Sequence, residues 1–266
     1  MKIITTDEAK TLLLACESEN AANLEEIDFM TRNANETEYL TLGNAVIINQ
    51  LFRGEKFTTV CPLSKDWNMD DILAYLVENR KGSRINIDVQ KLDAEMQVKF
   101  MNRMSEHFIY YKTYTDYVLT TPCTIAEDPS VRLLTADDRD AFLAMEYTQE
   151  QYRPPLSILF DSFVIQKSDD GKILAFFEDD KITGALSITG ALSFVHQHGA
   201  YYDVDYVWTA PSRRGNGIAT RLTAAYIREI QKNGGIPMWS NPQNEISLKL
   251  AQKYGFTLKR KTLSFE

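Results

Sequence analysis

The chain has 266 residues, a net charge of −8, 44% hydrophobic residues and 25% charged residues. This length and composition can bury a core without a metal or disulfides, and the acidic balance opposes binding to nucleic acid. Polar residues interrupt every apolar run and Cys16, Cys61 and Cys123 form no cluster, so we predict a soluble cytoplasmic protein with reduced thiols, no metal site and no membrane contact.

The N-terminal half predicts a mixed α/β domain over residues 1–125. Thr5 or Thr6 can cap a helix that continues to residue 30, with Glu8 in its first turn. Further along, the pattern predicts strands at 45–51 and 56–63, a helix at 69–80, a strand at 84–90, a helix at 93–104 and one long or broken strand at 107–121. An aperiodic connector with Pro122 and Pro129 ends this half, in which no catalytic cluster is evident.

Residues 126–266 predict a second domain in the order β-α-β-β-β-α-β-α-β. The elements are a strand at 131–135, a helix at 138–147, a hairpin at 172–192, a strand at 201–209, a helix to 232, a strand at 236–240, a helix at 244–254 and a final strand or hairpin at 256–265. The overall fold class is therefore α/β with a mixed sheet.

The segment APSRRGNGIATRL, residues 210–222, joins a predicted strand to a predicted helix. Gly215 and Gly217 leave the backbone accessible where the first helical N–H groups have no partner, and Arg213 and Arg214 add positive charge. These features are typical of a diphosphate site, although a tight turn with solvated arginines is an equal alternative. The nucleotide-triphosphate loop is absent, and Thr220 stands where the dinucleotide fingerprint needs Gly or Ala.

Arg214 to Ala219 does match the R/Q-x-x-G-x-G/A signature of the GCN5-related N-acetyltransferases (GNATs). Downstream, NPQNEISLKLAQKYGF at 241–256 resembles the second motif of that family. The resemblance covers the C-terminal half and implies the GNAT acyl-CoA acyltransferase fold there. The smaller N-terminal domain could be a degenerate GNAT-like half, since its last elements repeat a strand-helix-strand order.

The resemblance implies that acetyl-CoA is the acyl donor. The pyrophosphate would bind the backbone amides of residues 214–220, and the pantetheine arm would lie between the strands at 201–209 and 236–240. The implied cofactor-binding residues are Val207, Trp208, Thr209, Arg213, Arg214, Gly215, Asn216, Gly217, Ile218, Ala219, Thr220, Asn241, Asn244 and Ser247. Asn244 and Ser247 have an alternative role as a helix N-cap and first turn.

A base is needed because the attacking amine must be neutral. In a regular strand, Asp203 and Asp205 would share a face with Val207 and Thr209, and their like charges would raise one pKa. Asp203 is our first choice for the base, with His196 and His198 as alternatives and hydrogen bonding to a loop as the non-catalytic reading. A backbone N–H near Val207 or Trp208 would bind the oxyanion.

The position at which the family carries its general acid departs from the family pattern in this chain. Many GNATs carry a tyrosine that protonates the leaving thiolate, but this chain has Ala251 at that position. Tyr254 lies nearly one helical turn away and could substitute, or could belong to the core. The aromatic segment 147–163 would cover the acceptor pocket.

We therefore predict an N-acetyltransferase whose acceptor is a small-molecule amine, such as an antibiotic or an amino-acid-like amine. The alternative is a non-catalytic acyl-CoA-binding sensor or scaffold, which Ala251 favours. The aromatic strand HFIYYKTYTDYVL suits a core or an interface, and the pattern indicates no oligomeric state.

Overall fold

The structure is a computed structural model that describes residues 1–15, 36–52, 54–90, 92–147, 155–167, 170–189, 201–242 and 244–266. The chain divides into two units, Met1–Asp116 with Leu258–Glu266, and Tyr117–Thr257. The last strand thus groups with the N-terminal elements, whereas the predicted boundary placed it in the second domain. The division into domains 1–125 and 126–266 stays a prediction. Within the described ranges, no helix is long and apolar enough to cross a membrane.

The N-terminal unit is a sheet with helices packed on it. Its strands are β1 (Lys2–Ile4), β2 (Glu36–Leu42), β3 (Ala45–Phe52), β4 (Glu55–Pro62), β5 (Arg84–Asp88), β6 (Tyr110–Val118) and β12 (Thr257–Phe265), in the order β1-β2-β3-β4-β5-β12-β6. Its helices are α1 (Thr6–Leu14), α2 (Met69–Asn79) and α3 (Ala94–Ser105). β4 and β5 run parallel, which requires the crossover through α2. Apolar residues of α2 and α3, among them Ile72, Leu76 and Phe100, pack on the sheet.

The C-terminal unit contains a sheet in the order β11-β10-β9-β8-β7. Its strands are β7 (Val131–Leu133), β8 (Lys172–Glu178), β9 (Lys181–Thr189), β10 (Tyr201–Thr209) and β11 (Ile236–Ser240). Its helices are α4 (Arg139–Leu143), α5 (Leu156–Phe160), α6 (Ile218–Lys232) and α7 (Glu245–Lys253). One core contains α6, and a separate core on other side chains contains residues of α4 and α5. The described elements confirm the predicted mixed α/β class.

Several local predictions are confirmed and others are wrong. Thr5 caps α1 through a capping box with Glu8, as predicted, but the predicted helix beyond residue 15 lies outside the described residues. β1 and β2 were not predicted. The predicted helix at 138–147 is shorter, α5 occupies part of a predicted loop, and residues 257–265 form one strand with no hairpin turn.

Candidate functional site

The loop between β10 and α6 leaves the strand through a single turn. The Ala210 N–H donates to the Thr183 carbonyl at 2.9 Å, and the Arg213 N–H donates back to the Ala210 carbonyl at 2.8 Å. Gly215 and Gly217 have φ angles of 85° and 76°, a region that side chains other than glycine rarely adopt. A Cβ atom on either would meet nothing within 4 Å. These glycines therefore serve backbone conformation, and the loop faces open space.

The backbone N–H groups of residues 215–220 point to no hydrogen-bond acceptor in the described part of the chain. Regular pairing resumes only at Arg221, whose N–H donates to the Gly217 carbonyl at 3.1 Å. The fifteen-residue helix α6 adds the positive end of its dipole at this point. A run of unpaired donors at a helix N-terminus is a site for an anion such as a diphosphate. The predicted loop thus has the geometry that its sequence indicated.

The two arginines of the loop have different environments, which the sequence did not indicate. The Arg213 guanidinium pairs with both carboxylate oxygens of Glu178, with Nε 2.6 Å from Oε2, and this pairing lowers the pKa of the Glu178 carboxyl. Arg214 forms no ion pair among the described residues, and its Nε lies 3.4 Å from the Thr209 carbonyl oxygen. The charge of Arg213 is therefore paired with Glu178, whereas Arg214 is the cation available to a ligand. Cofactor binding by Arg213 stays a prediction.

The hydrogen-bonded ladder between β10 and β11 ends before this loop. Their parallel register joins Tyr201–Asp203 to Ile236–Met238, whereas β10 continues to Thr209 alongside β9. Alternate residues of β10 beyond Asp203 therefore direct backbone groups away from β9. This is the gap in which an extended amide chain such as pantetheine could add hydrogen bonds to Val207, Trp208 or Thr209.

A β-bulge interrupts β10 in this region. Val204 lies opposite Ile188 and Tyr206 opposite Ser187, so Asp205 is the extra residue. Consequently Val204 and Val207 both pack in the α6 core, while Trp208 packs in the α4–α5 core. The prediction that Asp203 shares a face with Val207 and Thr209 is wrong, because the bulge reverses the alternation.

The two aspartates also differ in chemistry. The Asp203 carboxylate accepts a hydrogen bond from the Ser240 N–H at 2.9 Å, a non-catalytic contact whose donor lies in β11 and not in a loop as the alternative had it. Solvent reaches the side chain of Asp205, but protein surrounds much of it, and this desolvation raises its pKa to about 6. The shift arises from burial and not from the charge of Asp203, contrary to the prediction. Asp205 is therefore the better candidate for the base, and His196 and His198 lie outside the described residues.

The proposed acid, Tyr254, has its hydroxyl engaged. It donates to the Thr220 carbonyl at 2.9 Å, and partial burial raises its pKa. Ala251 is fully buried in the α6 core. The hydrogen bond fixes α7 against the first turn of α6, so Tyr254 has a structural role in this arrangement.

The second motif forms the N-terminus of α7. Asn244 is the N-cap and accepts from the Ser247 N–H at 2.9 Å, which confirms the capping alternative. The Ser247 hydroxyl in turn accepts from the indole N–H of Trp239 at 3.1 Å, linking α7 to β11. Asn241 directly follows β11 and has a φ of 44°, in the left-handed region. Cofactor contacts by these three polar residues stay a prediction.

Gly184 is a site residue that the sequence analysis missed. A Cβ atom there would lie 2.5 Å from Ile218 Cγ2 and 3.2 Å from Leu222 Cδ1, so its absence lets α6 begin close to β9. An isolated glycine inside a strand is the available signal of such a close approach. Gly184 thus allows the first turn of α6 to lie beside the end of β10.

On the α4–α5 side, β10 borders a narrow apolar cleft. Tyr147 packs on Trp208 with ring centroids 5.8 Å apart, and residues 148–154 lie outside the described part. That segment 147–163 covers the acceptor stays a prediction. The lining residues are Phe142, Met145, Tyr147, Leu156, Leu159, Ile173, Ala185, Ser187, Tyr206 and Trp208. Among the described residues, no cluster of histidine, cysteine or carboxylate could hold a metal ion.

The N-terminal unit has a related β4-α2-β5 order, but its loop is closed to anions. Asn68 caps α2 by accepting from the Asp70 and Asp71 N–H groups at 3.1 and 3.2 Å, and Ser64 accepts from the Asp66 N–H. These amides are therefore satisfied internally, and the three aspartates add negative charge. In the described residues, a run of unpaired backbone donors at the start of a helix follows β10, whereas the donors after β4 are satisfied.

Comparison with known protein families gives a match in the half of the chain that contains the candidate site. Residues 182–265 match the family model described as GNAT acetyltransferase. No curated protein matches the sequence.

Solved structures are similar in fold over nearly the whole chain. An acetyltransferase from the GNAT family of Colwellia psychrerythraea is 13% identical with a TM-score of 0.59, covering 100% of this chain and 98% of that one. A tandem GNAT protein from the clavulanic acid biosynthesis pathway is 11% identical with a TM-score of 0.58, covering 99% and 96%. A GCN5-related N-acetyltransferase from Kribbella flavida is 13% identical with a TM-score of 0.55, covering 92% and 94%. The family match therefore covers residues 182–265, and the structural likeness shows that the chain has the fold of the GCN5-related N-acetyltransferases.

Proposed function

We propose that this protein transfers the acetyl group of acetyl-CoA to the primary amine of a small molecule. The observation that carries the proposal is the run of unpaired amides at residues 215–220, which lies beside the gap between β10 and β11. The amides and Arg214 would bind the pyrophosphate, and the gap would take the pantetheine arm. The separated cysteines favour a reducing compartment, so we expect the reaction to take place in the cytoplasm.

In the proposed reaction, the neutral amine attacks the thioester carbonyl and forms a C–N bond. Asp205, directly or through water, takes the proton that the amine loses, which suits a carboxyl that titrates near neutrality. A backbone N–H of Val207 or Trp208 binds the oxyanion, and the C–S bond then breaks. The thiolate takes a proton from water, because the Tyr254 hydroxyl already donates to Thr220.

The test is a calorimetric titration with acetyl-CoA, using NAD and ATP as controls. We expect micromolar binding of acetyl-CoA alone, weakened in Arg214→Gln because the available cation is lost. Arg213→Gln is the matched control, since its guanidinium is already paired with Glu178, and it should weaken binding less. Screening amines by thiol release would then identify acceptors. A folded protein that does not bind acetyl-CoA would refute the proposal.

The engaged Tyr254 hydroxyl and the buried Ala251 favour one alternative, a non-catalytic acyl-CoA sensor. Asp205→Asn separates the two functions. An enzyme would lose turnover while keeping its affinity for acetyl-CoA, whereas a sensor would release no thiol with any amine.

A further inference from the structure

Tyr226 of α6 reaches the point at which the β10–β11 ladder ends. Its side chain is fully buried, and its hydroxyl lies 2.6 Å from the Tyr202 carbonyl oxygen and 2.8 Å from the Met238 carbonyl oxygen. The hydroxyl also accepts the Met238 N–H at 2.8 Å. Having one proton, it donates to one carbonyl at a time. A side chain from the helix thus occupies the hydrogen-bonding groups at the last paired residue of β11.

A second side chain acts two residues further along β11. Asp203 lies opposite Met238 in the register, yet its carboxylate reaches forward to accept the Ser240 N–H at 2.9 Å. Beyond the ladder, β11 is therefore joined to β10 through the Asp203 side chain, with no further pairing in their described register. The two bridges thus engage the backbone N–H groups of Met238 and Ser240 with side chains from α6 and β10.

We propose that Tyr226 and Asp203 are positioning residues that set the width of the gap between β10 and β11 for the pantetheine arm. This inference rests on the proposed function. It gives Asp203 a role without proton transfer, because a carboxylate that holds a backbone N–H needs only an acceptor oxygen. Without the Tyr226 hydroxyl, the Met238 N–H is left without its acceptor inside the core, so β11 must shift to satisfy it.

The test compares acetyl-CoA affinity and turnover in wild type, Tyr226→Phe, Asp203→Ala and Asp203→Asn. Tyr226→Phe and Asp203→Ala should each raise the acetyl-CoA Kd about tenfold, the equivalent of one hydrogen bond, with a smaller change in kcat. Asn retains an oxygen that can accept the Ser240 N–H, so Asp203→Asn should restore the Kd to within about threefold of wild type. Asp203→Asn cannot act as a base, and loss of its kcat at unchanged Kd would overturn the inference.

Amide hydrogen exchange supplies a readout that does not depend on turnover. In Asp203→Ala, exchange in a peptide covering residues 236–242 should accelerate while α6 stays protected, and thermal unfolding confirms that each variant is folded. If Tyr226→Phe does not fold, the comparison of Asp203→Ala with Asp203→Asn tests the inference. If the wild-type protein does not bind acetyl-CoA, both the proposed function and this inference are refuted. If the wild-type protein binds acetyl-CoA and either Tyr226→Phe or Asp203→Ala binds it equally well, only this inference is refuted.

Discussion

Replacing Asp205 by Asn tests whether the β10 bulge creates a carboxyl that titrates near neutrality. Desolvation raises the pKa of Asp205 from its ordinary value of 3.8 to about 6. The carboxyl is then about one-tenth ionised at pH 5 and about nine-tenths ionised at pH 7. An aspartate of ordinary pKa would be more than about nine-tenths ionised at both. The difference between the two cases is a tenfold change in the amount of available base.

Carbon-13 NMR of the carboxyl groups measures this pKa without an acceptor substrate. The difference between wild type and Asp205→Asn should contain one signal with a midpoint near pH 6. Asp180→Asn, at the exposed turn between β8 and β9, is the control, and the signal should remain in it. A midpoint near 3.8 would refute the argument that burial at the bulge shifts Asp205.

The pH dependence of turnover gives an independent measurement once an acceptor is known. The protonation of the amine affects wild type and Asp205→Asn alike, so the ratio of their kcat/KM values isolates Asp205. This ratio should rise about tenfold between pH 5 and pH 7. A flat ratio would exclude Asp205 as the base even if its pKa is raised.

The free energy of unfolding should fall over the pH range in which the turnover ratio rises. The folded state binds the Asp205 proton more tightly than the unfolded state, so the free energy of unfolding falls as the pH rises from about 4 to about 6. Asp205→Asn should therefore be more stable than wild type at pH 7, and the difference should vanish below pH 4. Urea unfolding at the two pH values measures this, and a variant that is less stable at pH 7 would contradict the sign.

Three further substitutions test the scaffold. Gly217→Ala, at a φ of 76°, should cost about 1 kcal/mol in urea unfolding and weaken acetyl-CoA binding in calorimetry. Gly184→Ala would force a Cβ to 2.5 Å from Ile218 Cγ2, and denaturant unfolding should show a loss of about 1–3 kcal/mol. Arg260→Met leaves Asp116, 3% exposed, without its partner at 2.5 Å, and thermal and urea unfolding should show a loss of about 3–5 kcal/mol.

The sequence was informative where local chemistry decides the structure. The apolar stripe through Leu222, Tyr226 and Ile230 predicted α6, and all three residues are buried. Gly215 and Gly217 indicated an accessible backbone or a tight turn between β10 and α6, and their positive φ values are a property of one residue and its neighbours. Capping at Thr5 and Asn244 is equally local and was also predictable.

The remaining features depend on partners distant in sequence. Arg213 and Glu178 are 35 residues apart, and no local pattern indicates that the two side chains pair. The segment YYDVDYVWT also does not show which of its residues is the extra residue of the β-bulge. That residue is set by the pairing register between β10 and β9. β2 was missed because its charged residues obscure the alternation of ETEYLTL, although Tyr39 and Leu40 are buried.

The bulge also explains how two similar aspartates in one strand could have separate roles. In a regular strand, Asp203 and Asp205 would occupy one face and repel each other, and neither environment would be distinct. Asp203 binds the Ser240 N–H, a contact that requires only an acceptor oxygen. The bulge begins only after Asp203. It places Asp205 where protein desolvates the carboxyl while solvent still reaches it, as a base near neutrality requires. In the roles proposed above, one local irregularity would separate holding the strands apart from accepting a proton, within three residues of the chain.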